Sequence, residues 1–154
     1  MPTYRYSILG LDPDKTAIAS GRNMRCSPKH SREICKTIRG MMLDKAIELL
    51  ESVAEQKAWI PYRRFSKGRG HHAAMKKWPI GGHPVNAATQ ILRVLKNAES
   101  NADSKGLDID RLKIVHAVTQ KGRVFENFIP RAFGRSSAYN EQSSHVEIVL
   151  EEVG

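Results

Sequence analysis

The sequence predicts an α+β fold in which three helices pack on a small antiparallel sheet that carries a long protruding β-hairpin. Two runs near the C-terminus, residues 112–119 (LKIVHAVT) and 144–153 (SHVEIVLEEV), alternate apolar and polar positions and are rich in β-branched residues, as strands are. Three earlier segments repeat apolar residues at helical spacing and are bounded by helix start and stop signals. Helices grouped on one face of a small antiparallel sheet give an α+β architecture.

The first elements along the chain are a strand and a helix. Residues 16–27 are polar with scattered apolar positions, and we expect them to supply a third strand beside the C-terminal pair. Ser27 and Pro28 then start a helix, because a hydroxyl can cap the first turn and proline fits the first helical position. We expect this helix to run to Arg39, with Gly40 as its C-terminal stop.

One side of this first helix is basic. At about 100° per residue, its apolar residues lie roughly opposite a basic stripe formed by Lys29, Arg32, Lys36 and Arg39. Such a stripe is usually a solvated face, but only Glu33 lies near this one for pairing. The basic stripe could therefore either contact phosphates or simply face solvent.

Two further helices follow. The second is expected from Asp44, as its N-cap, to about Lys57, with an apolar side formed by Leu43, Ile47, Leu50 and Ala54. Its acids recur at helical spacing, which is typical of a solvated face rather than a catalytic pair; they are Asp44, Glu48, Glu51 and Glu55.

The third helix is expected to start near His83 and Pro84 and to end before Gly106. Its core stripe consists of Ala88, Ile91, Leu92, Leu95, Ala98 and Ala102.

The connection between the second and third helices is a basic insert at about residues 58–83. It contains two tryptophans and two glycine-rich spots and shows no clear periodicity. Aromatic residues interleaved with Arg and Lys suit RNA, because bases stack on rings while phosphates pair with cations. Ordered RNA contact and a mobile surface loop both fit this composition.

A long basic segment, at about residues 119–143, joins the two C-terminal strands. A hairpin turn needs about two to five residues, and a longer structureless loop is uncommon in a compact domain unless it is functional. If the strands continue into this segment, each arm gains roughly ten residues and the finger protrudes roughly 30–35 Å. A two-stranded ribbon alone is marginal in water. A long basic ribbon therefore implies that an anionic partner surrounds it.

Charge indicates the class of partner. The chain of 154 residues is long enough for a single domain spanning residues 1–154, and its formal net charge is +9. No Asp or Glu occurs between Gln56 and Ala98, whereas Lys and Arg recur there. This segregation favours a polyanion, such as nucleic acid, over an anionic membrane.

The sequence carries no export or membrane signal. No apolar run approaches the roughly 18 residues of a spanning helix, and the start of the chain (MPTYRYSILG) lacks the apolar core of a signal peptide. Cys26 and Cys35 are too few for a disulfide framework and are interpreted as thiols in a reducing compartment. We expect a soluble intracellular protein without membrane spans.

Cofactor and catalytic motifs are absent from the sequence. Eight residues separate Cys26 from Cys35, and His71 and His72 are adjacent and point in different directions, so no metal site is expected. The glycines follow no phosphate-loop pattern, and no nucleophile elbow occurs. We therefore expect no cofactor and no enzymatic activity.

The order of several motifs resembles a known family. The motif SPKHSREICKTIRG is followed by LKNAESNADSKGLD, LKIVHAVTQKG, IPRAFGRSSAYN and SHVEIVLEE. The most specific parts are Ile38-Arg39-Gly40, Asn97-Ala98 with Asn101-Ala102, the run from Pro130 to Arg135, and Ser144-His145-Val146. In this collinear order they resemble the L-twenty-two family of large-subunit ribosomal proteins over nearly the whole chain. The basic insert resembles its archaeal and eukaryotic branch.

The resemblance implies a small domain on the surface of the large ribosomal subunit and a hairpin whose tip reaches the nascent peptide exit tunnel. Its implied partners are large-subunit ribosomal RNA, neighbouring ribosomal proteins and the nascent polypeptide, within the cytoplasmic ribosome. It implies RNA contacts for Ser27, Lys29, Arg32 and Arg39. The implied hairpin tip consists of Pro130, Arg131, Ala132, Phe133, Gly134 and Arg135.

Charge pattern and resemblance together give a set of candidate RNA-binding residues. These are Arg22, Arg25, Ser27, Lys29, Arg32, Lys36, Arg39, Arg63, Arg64, Lys67, Arg69, His71, His72, Lys76, Lys77, Lys121, Arg123, Arg131 and Arg135. Their cations would neutralise phosphates and release counterions. The alternative is a free nucleic-acid-binding regulator outside the ribosome, which would use the same basic stripe. An enzyme acting on RNA comes third, because no acid–base pair supports it.

Overall fold

A computed structural model of the chain describes residues 6–75 and 77–153 and confirms the α+β architecture. The helices are α1 (Pro28–Ile38), α2 (Leu43–Ala54) and α3 (Val85–Ser104). The strands are β1 (Thr16–Met24), β2 (Ile60–Pro61), β3 (Gly81–Gly82), β4 (Leu112–Phe125), β5 (Phe128–Pro130), β6 (Ser136–Ala138) and β7 (Glu141–Glu152). None of the helices in the described part of the chain is both long and apolar enough to cross a membrane.

The main sheet has three antiparallel strands in the order β1-β7-β4, which confirms the third strand expected from the N-terminal segment. Ile148, on the central strand, pairs with Ala19 on one side and with Ala117 on the other. All three side chains belong to the buried core, because the helices cover this face of the sheet.

The core differs in detail from the apolar stripes expected for α2 and α3. Ile47, Ala54 and Leu92 are half-buried rather than fully buried. Ala46 and Val53, each one residue earlier on α2, pack inside instead, and α3 also buries Ala87 and Val94. An ideal stripe follows one line along a helix, whereas each helix here contacts more than one neighbour and buries a wider sector.

The capping of two helix starts differs from the prediction. Ser27 is the N-cap of α1 and Pro28 begins the helix, as predicted, but the Ser27 hydroxyl makes no capping bond; the Ser27 carbonyl accepts from the Ser31 N–H at 3.0 Å. The α2 helix is capped by Met42 rather than Asp44, because Met42 forms a β-bridge with Lys113. It also ends at Ala54, short of the expected Lys57.

The end of α1 agrees with the sequence to within a residue. Ile38 is its last residue, and Gly40 follows with a φ of +84°, a conformation that side chains disfavour. The Gly40 N–H donates to the Ile114 carbonyl at 2.7 Å. The glycine therefore both stops the helix and fixes it to the edge of β4.

The two C-terminal strands continue well beyond the core. Their pairing extends to Phe125 opposite Glu141, and β5 and β6 then pair with each other up to Pro130 opposite Ser136. Gly122 lies where the register shifts, and a Cβ there would stand 2.5 Å from the Ser143 Oγ. Only glycine lets the two arms approach this closely at the base of the hairpin.

The basic insert is ordered in the residues that the structure describes. Its ends pair as β2 and β3, and His71 forms an isolated bridge with Ile80. Tyr62, Ile60 and Gly81 are buried, so the insert has a small packed base against the domain. The loop has backbone pairing despite its lack of periodicity.

Candidate nucleic-acid interface

A buried carboxylate connects α1 to the basic insert. Glu33 is 1% exposed and accepts backbone hydrogen bonds from Arg63 at 3.1 Å and from Arg64 and Phe65 at 3.0 Å each. Burial alone would raise its pKa, but the three N–H donors and the nearby Arg32 outweigh it, so the pKa of Glu33 is lowered. The ionised carboxylate holds the Arg-rich loop beside the basic stripe.

The cations brought together in this way surround one aromatic ring. Lys29 Nζ lies 5.9 Å from the centroid of the half-buried Phe65 ring. The guanidinium carbons of Arg32 and Arg64 lie 5.8 and 6.0 Å from it. These distances suit cation–π attraction, which offsets part of the repulsion between like charges. The helix and the insert therefore share one basic surface, formed by Lys29, Arg32, Lys36, Arg39, Arg63, Arg64, Lys67 and Arg69.

A second aromatic contact places Arg69 in this basic surface. Its guanidinium lies 4.6 Å from the centroid of the buried Tyr62 ring and donates to the Nε2 of His30. Burial lowers the pKa of His30, as do the charges of Arg69 and Lys29. The imidazole is thus neutral at pH 7 and accepts from the guanidinium rather than repelling it.

A groove of about 360 Å³ runs between α1 and β4. Its walls include Arg32, Lys36 and Arg39 on the helix and residues 117–119 on the strand. Arg39 Nη2 donates to the Ala117 carbonyl at 2.7 Å, so this guanidinium is fixed in place. Arg32 Nη1 is buried and has no hydrogen-bond partner among the described residues. A buried donor without a partner, between two further cations, suits an anionic oxygen.

Two predicted contacts lie outside the basic surface and pair with acids: Arg22 on β1 and Arg25, which follows β1. Arg22 on β1 approaches the carboxylate of Glu147, which is 1% exposed, at 3.4 Å. Glu147 also accepts from the backbone N–H and the hydroxyl of Ser7. Arg25 donates twice to Glu141 at the base of the hairpin, at 3.0 and 2.8 Å. Both members of the Arg25 pair are solvent-accessible, so the pair is weak and open to exchange for phosphate.

The hairpin cations form a separate group. Lys121 and Arg123 lie on the β4 arm, where Arg123 stacks over the exposed Phe125 ring at 5.3 Å. Arg131 and Arg135 flank the tip and are joined through the backbone, from the Arg131 N–H to the Arg135 carbonyl at 2.8 Å. The tip is fully solvent-exposed, with Phe133 98% accessible.

The remaining candidates belong to the outer part of the insert. His71 is exposed, while His72 is half-buried with its ring 3.9 Å from that of Trp59, so it has a packing role. Lys67 and Lys77 are exposed. Lys76 lies outside the described residues. No three His, Cys, Asp or Glu side chains in the described part of the chain are grouped so as to hold a metal ion.

The predicted thiols are free and buried. Cys35 lies between α1 and β4, and burial raises its pKa to about 12. Cys26 is within 2.9 Å of the Ser144 hydroxyl in the core. Both cysteines therefore pack as small apolar residues.

The aromatic content of the insert, including its two tryptophans, is visible in the sequence, but Phe65 is not among the residues that the sequence singles out. Phe65 directly follows Arg63 and Arg64, and this adjacency was the available signal. Its role depends on Lys29 and Arg32 approaching from a distant segment. The sequence indicates Glu33 only as a partner for the basic stripe, whereas its backbone hydrogen bonds to the insert arise from tertiary docking.

Comparison with known proteins identifies the family. The family model described as ribosomal protein L22p/L17e matches residues 19–151. The large ribosomal subunit protein uL22 of Methanopyrus kandleri is 48% identical over 143 residues, covering 92% of this chain and 90% of that protein. The uL22 proteins of Methanosphaera stadtmanae and Methanocaldococcus jannaschii are 45% and 44% identical over 147 and 152 residues. They cover 96% and 99% of this chain, and 96% and 97% of the respective relatives. This chain therefore belongs to the ribosomal protein L22p/L17e family.

Proposed function

We propose that this protein is a structural constituent of the large ribosomal subunit in the cytoplasm, that it binds large-subunit ribosomal RNA and that it aids subunit assembly. Its relatives bear the name of a large ribosomal subunit protein. A net charge of +9 favours a polyanionic partner such as ribosomal RNA.

One observation carries the RNA-binding part of this proposal. The basic surface is assembled from two segments, α1 and the insert, that Glu33 holds together through three backbone hydrogen bonds. Concentrating cations in this way costs electrostatic free energy in the isolated protein. The arrangement becomes favourable when phosphates replace the counterions, and the Arg32 donor in the α1–β4 groove is placed for such a phosphate.

The hairpin supports a second part of the proposal, that its tip lines the nascent peptide exit tunnel. Residues 131–136 are exposed and bury nothing in the domain core. Phe133 has a φ of +57°, which is strained for an aromatic residue and is followed by Gly134 at +65°. Such a tip suits contact with a surrounding surface. Its proposed partners are ribosomal RNA, neighbouring ribosomal proteins and the nascent polypeptide.

The buried acids accept hydrogen bonds and pair with cations within the fold, which supports a structural role. Glu33 accepts three backbone hydrogen bonds, and Glu147 is engaged by Arg22 and Ser7. The acids of α2 are exposed on a helix face, where Glu51 pairs with Lys96 and Glu55 with Lys57.

Sedimentation of the native protein through sucrose gradients at low and high salt tests the proposal. We expect the protein to migrate with the large subunit and to resist moderate salt, because the phosphate contacts are numerous and partly enclosed. Recovery of most of the cellular protein in the ribosome-free fraction would contradict this and favour the free regulator, which the family comparison does not favour.

A further inference from the structure

The basic insert contains a cleft beside the basic surface described above, and Arg63 belongs to both. Its volume is about 320 Å³, and its walls combine apolar and polar surface. The apolar lining comes from Trp59, Pro61, Ala74, Met75 and Trp78, and two cations, Arg63 and Lys77, stand at the same cleft. Trp59 and Trp78 are the two tryptophans of the whole chain.

The aromatic walls are held in place by the fold of the insert. The Trp78 Nε1 donates to the Tyr62 carbonyl at 2.9 Å, which fixes an indole that is still 39% exposed. The Trp59 ring packs against His72 and His83, with centroid distances of 3.9 and 3.8 Å. A rigid and partly exposed aromatic wall loses little conformational entropy when a flat ligand stacks on it.

Charge restricts what this cleft can hold. The segment between Gln56 and Ala98 contains no carboxylate, and Arg63 and Lys77 are both exposed at the cleft. An apolar peptide side chain would use the walls but leave the cations without partners. A nucleotide uses both, because its base is flat and aromatic while its phosphates are anionic.

We propose that this cleft receives a single unstacked nucleobase of ribosomal RNA, which stacks on Trp78 while Arg63 and Lys77 neutralise the flanking phosphates. The inference rests on the proposed function and adds to it a base-binding site next to the phosphate contacts of the basic surface, with which the site shares Arg63. It also gives the basic insert a role of its own.

Tryptophan fluorescence reports directly on this cleft because both tryptophans line it. We would titrate the full chain with a single-stranded adenine RNA hexamer and with a hexamer of the same backbone that lacks bases. Saturable quenching by the first and weak quenching by the second is expected. Equal quenching by both, or none by either, would overturn the proposal, since phosphates alone would then account for binding.

Two substitutions separate stacking from positioning. W78A should weaken binding of a labelled adenine hexamer by about five- to a hundredfold, as loss of one base–aromatic stack does. W78F keeps an aromatic face but loses the N–H bond to Tyr62, and most of the affinity should be retained. Equal losses in both variants would contradict stacking as the cause.

A charge variant keeps the proposal testable if W78A fails to fold. R63Q/K77Q leaves both tryptophans in place and should lower the slope of log affinity against log salt by roughly 0.7 per contact. The control K45Q/K57Q removes two exposed cations outside the cleft and should leave the slope unchanged. An equal decrease in both double variants would overturn the assignment of phosphates to this cleft.

Chemical probing of ribosomes distinguishes failure of this inference from failure of the proposed function. Large subunits that contain wild-type or W78A protein would be treated with a reagent that acylates flexible 2′-hydroxyls. We expect a local gain of reactivity at an unpaired nucleotide in the W78A subunits. Unchanged RNA in fully assembled W78A subunits would overturn the base site alone. Absence of the wild-type protein from large subunits would overturn the proposed function.

Discussion

Glu33 joins two segments that are 30 residues apart, and it does so as a buried anion. A carboxylate accepts several hydrogen bonds at once, and its three donors here are backbone groups that would otherwise need water or another partner. The side chain therefore stabilises the loop that carries Arg63 and Arg64, instead of neutralising the basic stripe next to it.

Replacing this carboxylate tests its role at the scale of a single residue. E33Q keeps the shape but puts an amide donor towards backbone donors, so we expect a loss of about 1–3 kcal/mol in the free energy of unfolding. Urea denaturation at pH 7 measures the change. The control E48Q removes an exposed acid on α2 and should change stability by less than about 0.5 kcal/mol.

The pH dependence gives a second check on the same residue. Because the pKa of Glu33 is lowered in the folded protein, its contribution is present above its unfolded-state pKa and is lost as the pH falls through the folded pKa. The stability gap between wild type and E33Q should therefore narrow below about pH 4.3, where the unfolded carboxyl takes up its proton. A gap that stays constant down to pH 3 would show that the charge of Glu33 contributes nothing.

At the scale of the element, α1 presents a basic stripe whose members differ in function. Lys36 and Arg39 are exposed, yet the Arg39 guanidinium donates to the Ala117 carbonyl and so fixes the helix end to β4. Lys29 and Arg32 contact the Phe65 ring. Replacing all four residues would therefore combine a loss of RNA contacts with a loss of about 0.5–1.5 kcal/mol from the Arg39 hydrogen bond.

Replacing only three of the four residues keeps Arg39 and its hydrogen bond, so the loss of RNA contacts is measured alone. We expect K29Q/R32Q/K36Q to remain folded and to lower the slope of log affinity for ribosomal RNA against log salt by roughly 0.7–0.9 for each lost contact. The control K45Q/K57Q/K96Q removes the same charge from exposed positions on and after α2 and on α3. Filter binding at several salt concentrations measures both variants. Equal slopes in the two triple variants would mean that the basic stripe is only solvated.

At the scale of the whole molecule, the hairpin and the core are independent in their packing. Asn127 and Tyr139 face each other across the arms, with the Tyr139 N–H donating to the Asn127 carbonyl at 2.6 Å. Replacing residues 128–138 by an Asn-Gly turn would close the ribbon at this pair with a favourable hairpin geometry. The change removes Phe128, which is 68% exposed, and the tip, and it removes no core residue.

We expect this shortened protein to keep the thermal stability of the wild type and to dock on the large subunit through the basic surface. The passage of nascent chains or of tunnel-binding drugs should change. Calorimetry, sedimentation and a translation assay give the three readouts, and F133A serves as a control that removes one tip side chain. A large decrease in melting temperature, or strong amide-exchange protection of residues 131–135 in the free wild type, would show that the tip packs on its own domain.

The sequence by itself determined the three helices and the strands of the main sheet, because their signals are local. Alternation predicted β4 and β7, helical spacing predicted the three helices, and Gly40 and Gly106 marked helix ends that the structure places within two residues. The acid-free insert and the basic stripe were likewise visible as composition. Collinear motifs then predicted the family, which the match over residues 19–151 confirmed.

Only the tertiary structure decided which of these pieces meet. Glu33 contacts the insert, and the Phe65 ring lies between cations of two segments. Trp59 and Trp78 form a cleft. These contacts join residues that are distant in the chain or lie in a loop without periodicity. The Met42 cap of α2 depends likewise on a bridge to Lys113 in a distant strand. Such contacts follow from how segments dock against the core, and no periodic pattern in the chain encodes docking.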